Sequence, residues 1–271
     1  MNVTLSATLA ANEEITRRRT AGERVLHMAF GEAGLPVHPS LRERLEESSA
    51  QNGYGPVAGA VELREAAAGY WTRRNVSADP DLIVCGPGSK PLLYALLMAL
   101  GGDIVLPRPS WVSYAAQAEL IGVRPLLLPP PPGEGGVPDP DLVAEVVRRA
   151  RAQGREVRSM LVTLPDNPTG LLPAPETVHR LVEVARALDL MIISDEIYGD
   201  LVHDPLTPCP GPATLAPERT IVTTGLSKSL ALGGWRIGVA RLPDQAYDLR
   251  DRLLAIASEI WSSPTAPVQH A

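Results

Sequence analysis

The sequence predicts an α/β domain, a mostly parallel sheet with helices on both faces. Three observations carry this. Short apolar runs bounded by turn residues recur along the chain, and segments with helical apolar spacing stand between them. Clusters rich in Gly, Pro, Asp and Asn follow several of the apolar runs. Strands that are apolar throughout are strands covered on both faces, which favours parallel pairing with helical crossovers.

Each element follows in order. Residues up to about Arg24 form a polar arm whose Arg17, Arg18 and Arg19 read as a solvated helical face. Ala60, Leu63, Ala67 and Trp71 lie at helical spacing between Ala58 and Asn75. Asp81–Cys85 is a buried-strand signal, and Gly86-Pro87-Gly88-Ser89 then opens an apolar helix to about Leu100. Ile104–Leu106 reads as strand, Trp111–Ile121 as helix and Arg124–Leu128 as strand. The proline-rich stretch Pro129–Pro138 is an exposed loop, since the alternation resumes after it. Asp139 is a good N-cap with Pro140 in the first helical position. Leu142, Val143, Val146, Val147 and Ala150 make one helical stripe. Ser159–Leu164 is the next strand, followed by a helix marked by Val178, Leu181, Val182, Ala185 and Leu188. Leu190–Ser194, Thr220–Thr224 and Trp235–Arg241 are further strands, and Ala246 to Ile260 a long closing helix.

Composition narrows the function. The chain has 271 residues and a net charge of −6, which leaves no basic footprint for nucleic acid. The longest apolar run, Leu92–Gly102, is too short to span a bilayer, and no secretory signal is visible. Cys85 and Cys209 have neither disulfide-framework nor metal-site spacing, and the five histidines show no ligand spacing. No metal, membrane or nucleic-acid partner is expected, and the cytoplasm is the expected compartment.

Lysine usage is more informative. Of 25 basic residues only Lys90 and Lys228 are lysine. A lysine retained where arginine serves everywhere else is a candidate for what guanidinium cannot do: lose its proton and attack a carbonyl.

In open α/β sheets ligands bind beyond the carboxyl ends of the strands. There the sequence places Gly88-Ser89-Lys90, then Pro165-Asp166-Asn167-Pro168-Thr169-Gly170, then Asp195-Glu196-Ile197-Tyr198, and finally Gly225-Leu226-Ser227-Lys228. A helix start, an amide, a carboxylate with a phenol, and a lysine suit a phosphorylated pyridine aldehyde. Backbone N–H groups at 88–90 would take its phosphate. Lys228 would take its aldehyde as a Schiff base, Asp195 its ring nitrogen, and Asn167 and Tyr198 its ring oxygen. Trp111 would pack on a ring face. Taken singly, Asp195 also reads as a helix N-cap, Asn167 before Pro168 as turn chemistry, and Tyr198 and Trp111 as core aromatics.

The strings LPDNPTG (164–170), SDEIYGDL (194–201) and TGLSKSLALGGWRIG (224–238) resemble motifs of the class I/II aminotransferases. These are pyridoxal 5′-phosphate enzymes of fold type I. YGPVAGAVELREA (54–66) and PSWVSY (109–114) resemble the same family, in family order, from about Gly31 onward. The resemblance implies a large-domain architecture and transfer of an amino group between an amino acid and a 2-oxo acid. It implies Lys228 as the Schiff-base lysine and proton carrier, Asp195 as the ring-nitrogen partner, and Asn167 and Tyr198 as donors to the ring oxygen. It implies Arg236 as the phosphate clamp and Tyr54 as a residue reaching the phosphate of a neighbouring subunit in a homodimer with shared sites. Gly31, in FGEAG, falls where the family makes a backbone contact near the substrate carboxylate.

Two departures accompany the likeness. The family's hydroxyl residue three positions before the lysine is Gly225 here, so Thr224 or Ser227 is left to supply that phosphate contact. The expected organisation is an N-terminal arm over residues 1–30 and a cofactor-binding large domain over 31–271, without the small C-terminal domain of relatives. Such a shortened chain would expose apolar surface along its last helix and dimerise or aggregate. A cofactor-binding but inactive homologue, or a lyase performing β-elimination, remain alternative readings.

Overall fold

A computed structural model describes residues 6–28, 31–203 and 211–271; Phe30 of the FGEAG string and Cys209 lie outside them. Ahead of the alternating elements stand α1 (Ala7–Thr20), with no buried residue, and α2 (Pro39–Ser48). The sequence reading left α2 unassigned. His38 caps it, its Nδ1 accepting from the Ser40 N–H at 3.3 Å, with Pro39 at the first position.

The domain proper then alternates. It runs α3 (Val61–Thr72), β1 (Ile83–Gly86), α4 (Ser89–Leu100), β2 (Asp103–Pro107), α5 (Val112–Leu120) and β3 (Pro125–Leu128). It continues through α6 (Pro140–Ala152), β4 (Val157–Thr163), α7 (Pro175–Ala187), β5 (Met191–Asp195) and β6 (Thr220–Gly225). One-turn α8 (Leu226–Ser229), β7 (Gly238–Arg241), α9 (Tyr247–Ile260) and α10 (Ala266–His270) complete it. Asp139 caps α6 as expected, accepting from the Asp141 N–H at 2.9 Å.

The seven strands lie in the order β1-β7-β6-β5-β4-β2-β3. All pairs from β6 to β3 are parallel, and β7 runs antiparallel to both β1 and β6. Successive strand residues point to opposite faces, and the core divides accordingly. Ile104, Leu106, Leu161, Ile193 and Ile221 face α4, α5 and α9. Val105, Met160, Val162 and Ile192 face α6 and α7, while Ile83, Cys85, Val222 and Val239 meet Trp71 of α3.

Two boundaries differ from expectation. The strand read over Asp81–Cys85 begins at Ile83, because Asp79 accepts from the Asp81 N–H and Pro80 starts a 3-10 turn over Pro80–Leu82. The strand read over Trp235–Arg241 begins at Gly238. The Gly233–Trp235 segment is a 3-10 turn that ends on Arg236 in the left-handed region at φ 57°. That turn matters for function, since it reverses the chain at the carboxyl ends of the neighbouring strands.

Candidate active site

Strand order lines up the candidate groups. The carboxyl ends of β1, β6, β5 and β4 deliver the Gly88 turn, Lys228, Asp195 and Asn167, and the start of β7 delivers Arg236 between the first two. Residues separated by up to 148 positions are thereby brought along one sheet edge.

The Gly88 end is held by close backbone contacts. Helix α4 buries seven residues, among them Leu92, Leu93, Leu96 and Leu97, which fixes its N-terminus on the sheet. Burial of each leucine is worth about 1.5–3 kcal/mol, ample to hold a strained entry. Gly88 enters at φ 97°, a conformation suited to glycine. A Cβ on Gly88 would stand 2.2 Å from Arg236 Nη2, so the guanidinium lies directly against this turn. The Gly88 N–H is spent on the Gly86 carbonyl at 2.7 Å. The N–H groups of Ser89 and Lys90, in the first turn of α4, are those a helix start leaves over.

Cations converge here. Lys228 donates to the Gly31 carbonyl and stands 5.9 Å from the Tyr198 ring centroid. Burial holds its pKa down, Glu32 works against that, and Arg236 adds to it. Lys90 stacks over Trp111 at 4.8 Å, with its pKa lowered first by burial and then by Arg236. Arg236 donates to the Gly233 carbonyl at 3.0 Å. Three positive groups within electrostatic reach of one another form a place for an anion of high charge.

Gly225 also has a physical reason. A Cβ there would lie 2.8 Å from the Ile237 carbonyl oxygen, so no serine or threonine fits without moving β7. Thr224 turns its hydroxyl to the Glu196 carbonyl at 3.3 Å. Ser227, half-buried beside Lys228, is left as the hydroxyl on this turn.

Asp195 ends β5 and is 2% exposed. Its Oδ2 accepts from the Tyr114 hydroxyl at 2.7 Å, which itself accepts from Thr163 Oγ1 at 3.0 Å. Its Oδ1 accepts from Thr223 Oγ1 and the Ile197 N–H, both at 3.3 Å. Burial pushes its pKa up to about 6, and these hydrogen bonds keep it from rising further. The helix N-cap reading of Asp195 is set aside, because residues 196–198 form a turn and not an α-helix. Asn167 Nδ2 donates to the Tyr198 hydroxyl at 3.4 Å, so the two expected ring-oxygen donors are neighbours. Trp111 caps α5 and meets Tyr114 edge to face, with centroids 5.2 Å apart.

Sequence reasoning missed Tyr114. Its only signal was a place three residues after Trp111 in PSWVSY, one helical turn on. Tyr54 is 96% exposed.

The donor set fits a phosphorylated pyridine aldehyde. A cationic cradle closed by glycine stands at one end, paired ring-oxygen donors at the other, and a buried carboxylate between them. A recess of about 780 Å3 exists at the opposite, amino-terminal end of the strands. Its Arg151, Arg155 and Arg158 are tied to backbone carbonyls or to acids, and none of the chemistry reaches it.

Comparison with known proteins agrees with this geometry. The family model "Aminotransferase class I and II" matches residues 27–271. A probable aspartate/prephenate aminotransferase of Thermus aquaticus is 34% identical over 98% of this chain and 68% of its own length. The aspartate/prephenate aminotransferase of Thermus thermophilus is 32% identical over the same shares. The solved structure of the Thermus thermophilus aspartate aminotransferase with maleate superposes with a TM-score of 0.90 at 30% identity, covering 98% of this chain and 69% of that one. The chain thus spans about two thirds of the length of these relatives.

Proposed function

The chain belongs to the class I and II aminotransferases, and on that premise we propose that amino-group transfer runs at the strand-end cluster of Lys228, Asp195, Arg236, Asn167 and Tyr198. Members of the family are pyridoxal phosphate-dependent enzymes moving an amino group from an amino acid to a 2-oxo acid. The observation that carries the assignment is the strand order, which sets an anion-binding end, a lysine, a buried carboxylate and a donor pair side by side.

When bound, the cofactor supplies an aldehyde for an amine and a ring that accepts the electron pair left at the substrate Cα. The residues do the rest. Arg236, Ser227 and the N–H groups of Ser89 and Lys90 would hold the phosphate, with Gly88 permitting close approach. Asn167 and Tyr198 would donate to the ring oxygen, and Trp111 would lie against the ring. Asp195 would keep a proton on the ring nitrogen, which requires its carboxylate to stay ionised at working pH. With a pKa of about 6 it is mostly anionic near neutrality. Lys228 Nζ would be the amine that holds the aldehyde carbon and the base that moves the proton at the substrate Cα. Its lowered pKa leaves a larger neutral fraction for that work. Gly31 contributes a backbone oxygen beside Lys228, consistent with a place near the substrate.

Aspartate is the proposed amino donor, on the strength of the relatives' names. A homodimer is proposed as the working unit: Tyr54, exposed on one chain, would complete the phosphate site of the other. The cytoplasm is the proposed compartment, on the ground that Cys85 and Cys209 lack disulfide-framework spacing. The proposed organisation keeps residues 1–30 as an arm and 31–271 as the cofactor-binding domain.

The test is product analysis. With pyridoxal phosphate, aspartate and 2-oxoglutarate, the chain should yield glutamate mole for mole with oxaloacetate. Release of free ammonia in place of glutamate would move the reaction to elimination chemistry and overturn the assignment.

A further inference from the structure

We infer that Tyr114, with Thr163 behind it, is a positioning residue that holds Asp195 ionised and fixed in orientation for amino-group transfer. The inference rests on the cofactor reading above but concerns a contact that reading does not use.

The argument starts from burial. Tyr114 is 2% exposed and Thr163 1%, so neither hydroxyl has water as a partner of convenience. A buried hydroxyl must be satisfied internally. Thr163 donates to the Tyr114 oxygen at 3.0 Å, and the Tyr114 hydroxyl in turn donates to Asp195 Oδ2 at 2.7 Å. The direction of this two-link chain is forced, since the carboxylate can only accept. A phenol already accepting one hydrogen bond is a better donor, so the links reinforce each other in a dry site. Burial also keeps the phenol protonated, with its pKa raised well above the ordinary tyrosine range.

The chain then acts on Asp195 in two ways. The bond on Oδ2 is short, whereas the two on Oδ1 are long at 3.3 Å, so Oδ2 is anchored and the remaining acceptor capacity is concentrated on Oδ1. A donor to the charged form also opposes the desolvation that drives the carboxyl towards neutrality. The other groups facing Asp195 are Thr223 from β6, the Ile197 N–H, and neighbouring Glu196 and Tyr198. None of them makes a short contact on Oδ2. Tyr114 itself is positioned by α5 and by the Trp111 ring 5.2 Å away, so removing its oxygen leaves the ring's packing in place.

The experiment titrates the Asp195 carboxyl by 13C NMR in the full chain without cofactor, its signal identified by loss in Asp195→Asn. Tyr114→Phe should raise that pKa by about one unit. With cofactor bound, the same variant should lower kcat roughly 10- to 100-fold with KM for the amino donor little changed. The acid limb of its kcat pH profile should move to higher pH. Thr163→Val, which keeps the phenol but removes its support, should shift both readouts the same way by less, and Thr163→Ser should restore them. If Tyr114→Phe folds and leaves the Asp195 titration unmoved, the inference is overturned. If it does not fold, an unmoved titration in folded Thr163→Val overturns it. Because the titration needs no cofactor, it stands or falls separately from the aminotransferase reading, which product analysis decides.

Discussion

Gly238→Ala probes the junction on which the anion-binding end depends. Gly238 is the first residue of β7 and pairs with both Gly86 and Gly225. A Cβ there would stand 2.3 Å from the Gly88 carbonyl carbon and 2.4 Å from the Ser89 nitrogen. Both are backbone atoms, so no rotamer change relieves the clash, and either β7 or the Gly88 turn must shift by about 1 Å to reach ordinary contact. Overpacking of this kind costs about 1–3 kcal/mol, and loosening one ladder hydrogen bond adds about 1. A loss of roughly 2–4 kcal/mol follows, or a fall in Tm of about 4–8 °C for a chain of this size. Because the displaced atoms include the Ser89 N–H, cofactor affinity should fall with it, by roughly tenfold or more. The control is Gly234→Ala, where a Cβ meets nothing within 4 Å and the change should stay within about 0.5 kcal/mol. Differential scanning fluorimetry and a cofactor titration by fluorescence read both effects. If Gly238→Ala matched wild type in Tm and affinity, the close approach of β7 to the Gly88 turn would be refuted.

Three further outcomes are expected. Glu32 is what raises the pKa of Lys228 against burial and Arg236, so Glu32→Gln should lower it further. The pH at which cofactor attaches to half the chains should then move down, and an unchanged or higher midpoint contradicts the electrostatics. Glu196 is pushed up by burial to about 7 from 4.5, despite the Ser194 hydroxyl 2.8 Å away. An acid with a raised folded-state pKa contributes stability that is fully present below its unfolded pKa and is lost as pH rises through the folded one. Glu196→Gln should therefore shrink the stability lost by cofactor-free protein between about pH 4.5 and pH 7.5 by roughly 1–3 kcal/mol in urea unfolding. A loss as large as wild type's would count against a raised Glu196 pKa. Tyr54→Phe should weaken cofactor affinity about 3- to 10-fold without changing Tm, as expected if its hydroxyl serves only a phosphate across the dimer. Equal affinities would remove Tyr54 from the site.

Local chemistry was legible in the sequence where it depends on near neighbours. Asp139-Pro140 announced its helix, and Gly86–Ser89 announced a strand-to-helix turn. Lys228 stood out because only two lysines occur among 25 basic residues. Contacts made across the sheet were not legible. Tyr114 and Asp195 are 81 positions apart, and nothing in PSWVSY says that its tyrosine meets a carboxylate. The antiparallel insertion of β7 between β1 and β6 is a matter of strand order, which local pattern does not encode. It depends on Gly86, Gly225 and Gly238 meeting at one level of the sheet. Arg241, the end of the strand read over Trp235–Arg241, is 0% exposed, because the carbonyls of Ser77, Pro217 and Thr220 and the Asp244 carboxylate satisfy it. Gln269 lies in α10, a helix the sequence analysis does not assign. It accepts from the Ala60 N–H at 2.7 Å, 209 positions away, and ties α10 to the start of α3.

The most direct measurement is to trap the cofactor on its lysine. The chain is incubated with pyridoxal phosphate, reduced with borohydride, digested and mapped by mass spectrometry. With only Lys90 and Lys228 available beside the N-terminal amine, the assignment is unambiguous. The phosphopyridoxyl group should sit on the peptide containing Lys228, and Asp195→Asn should leave that attachment in place. A label on Lys90 or the terminus, with Lys228 unmodified, would contradict the account.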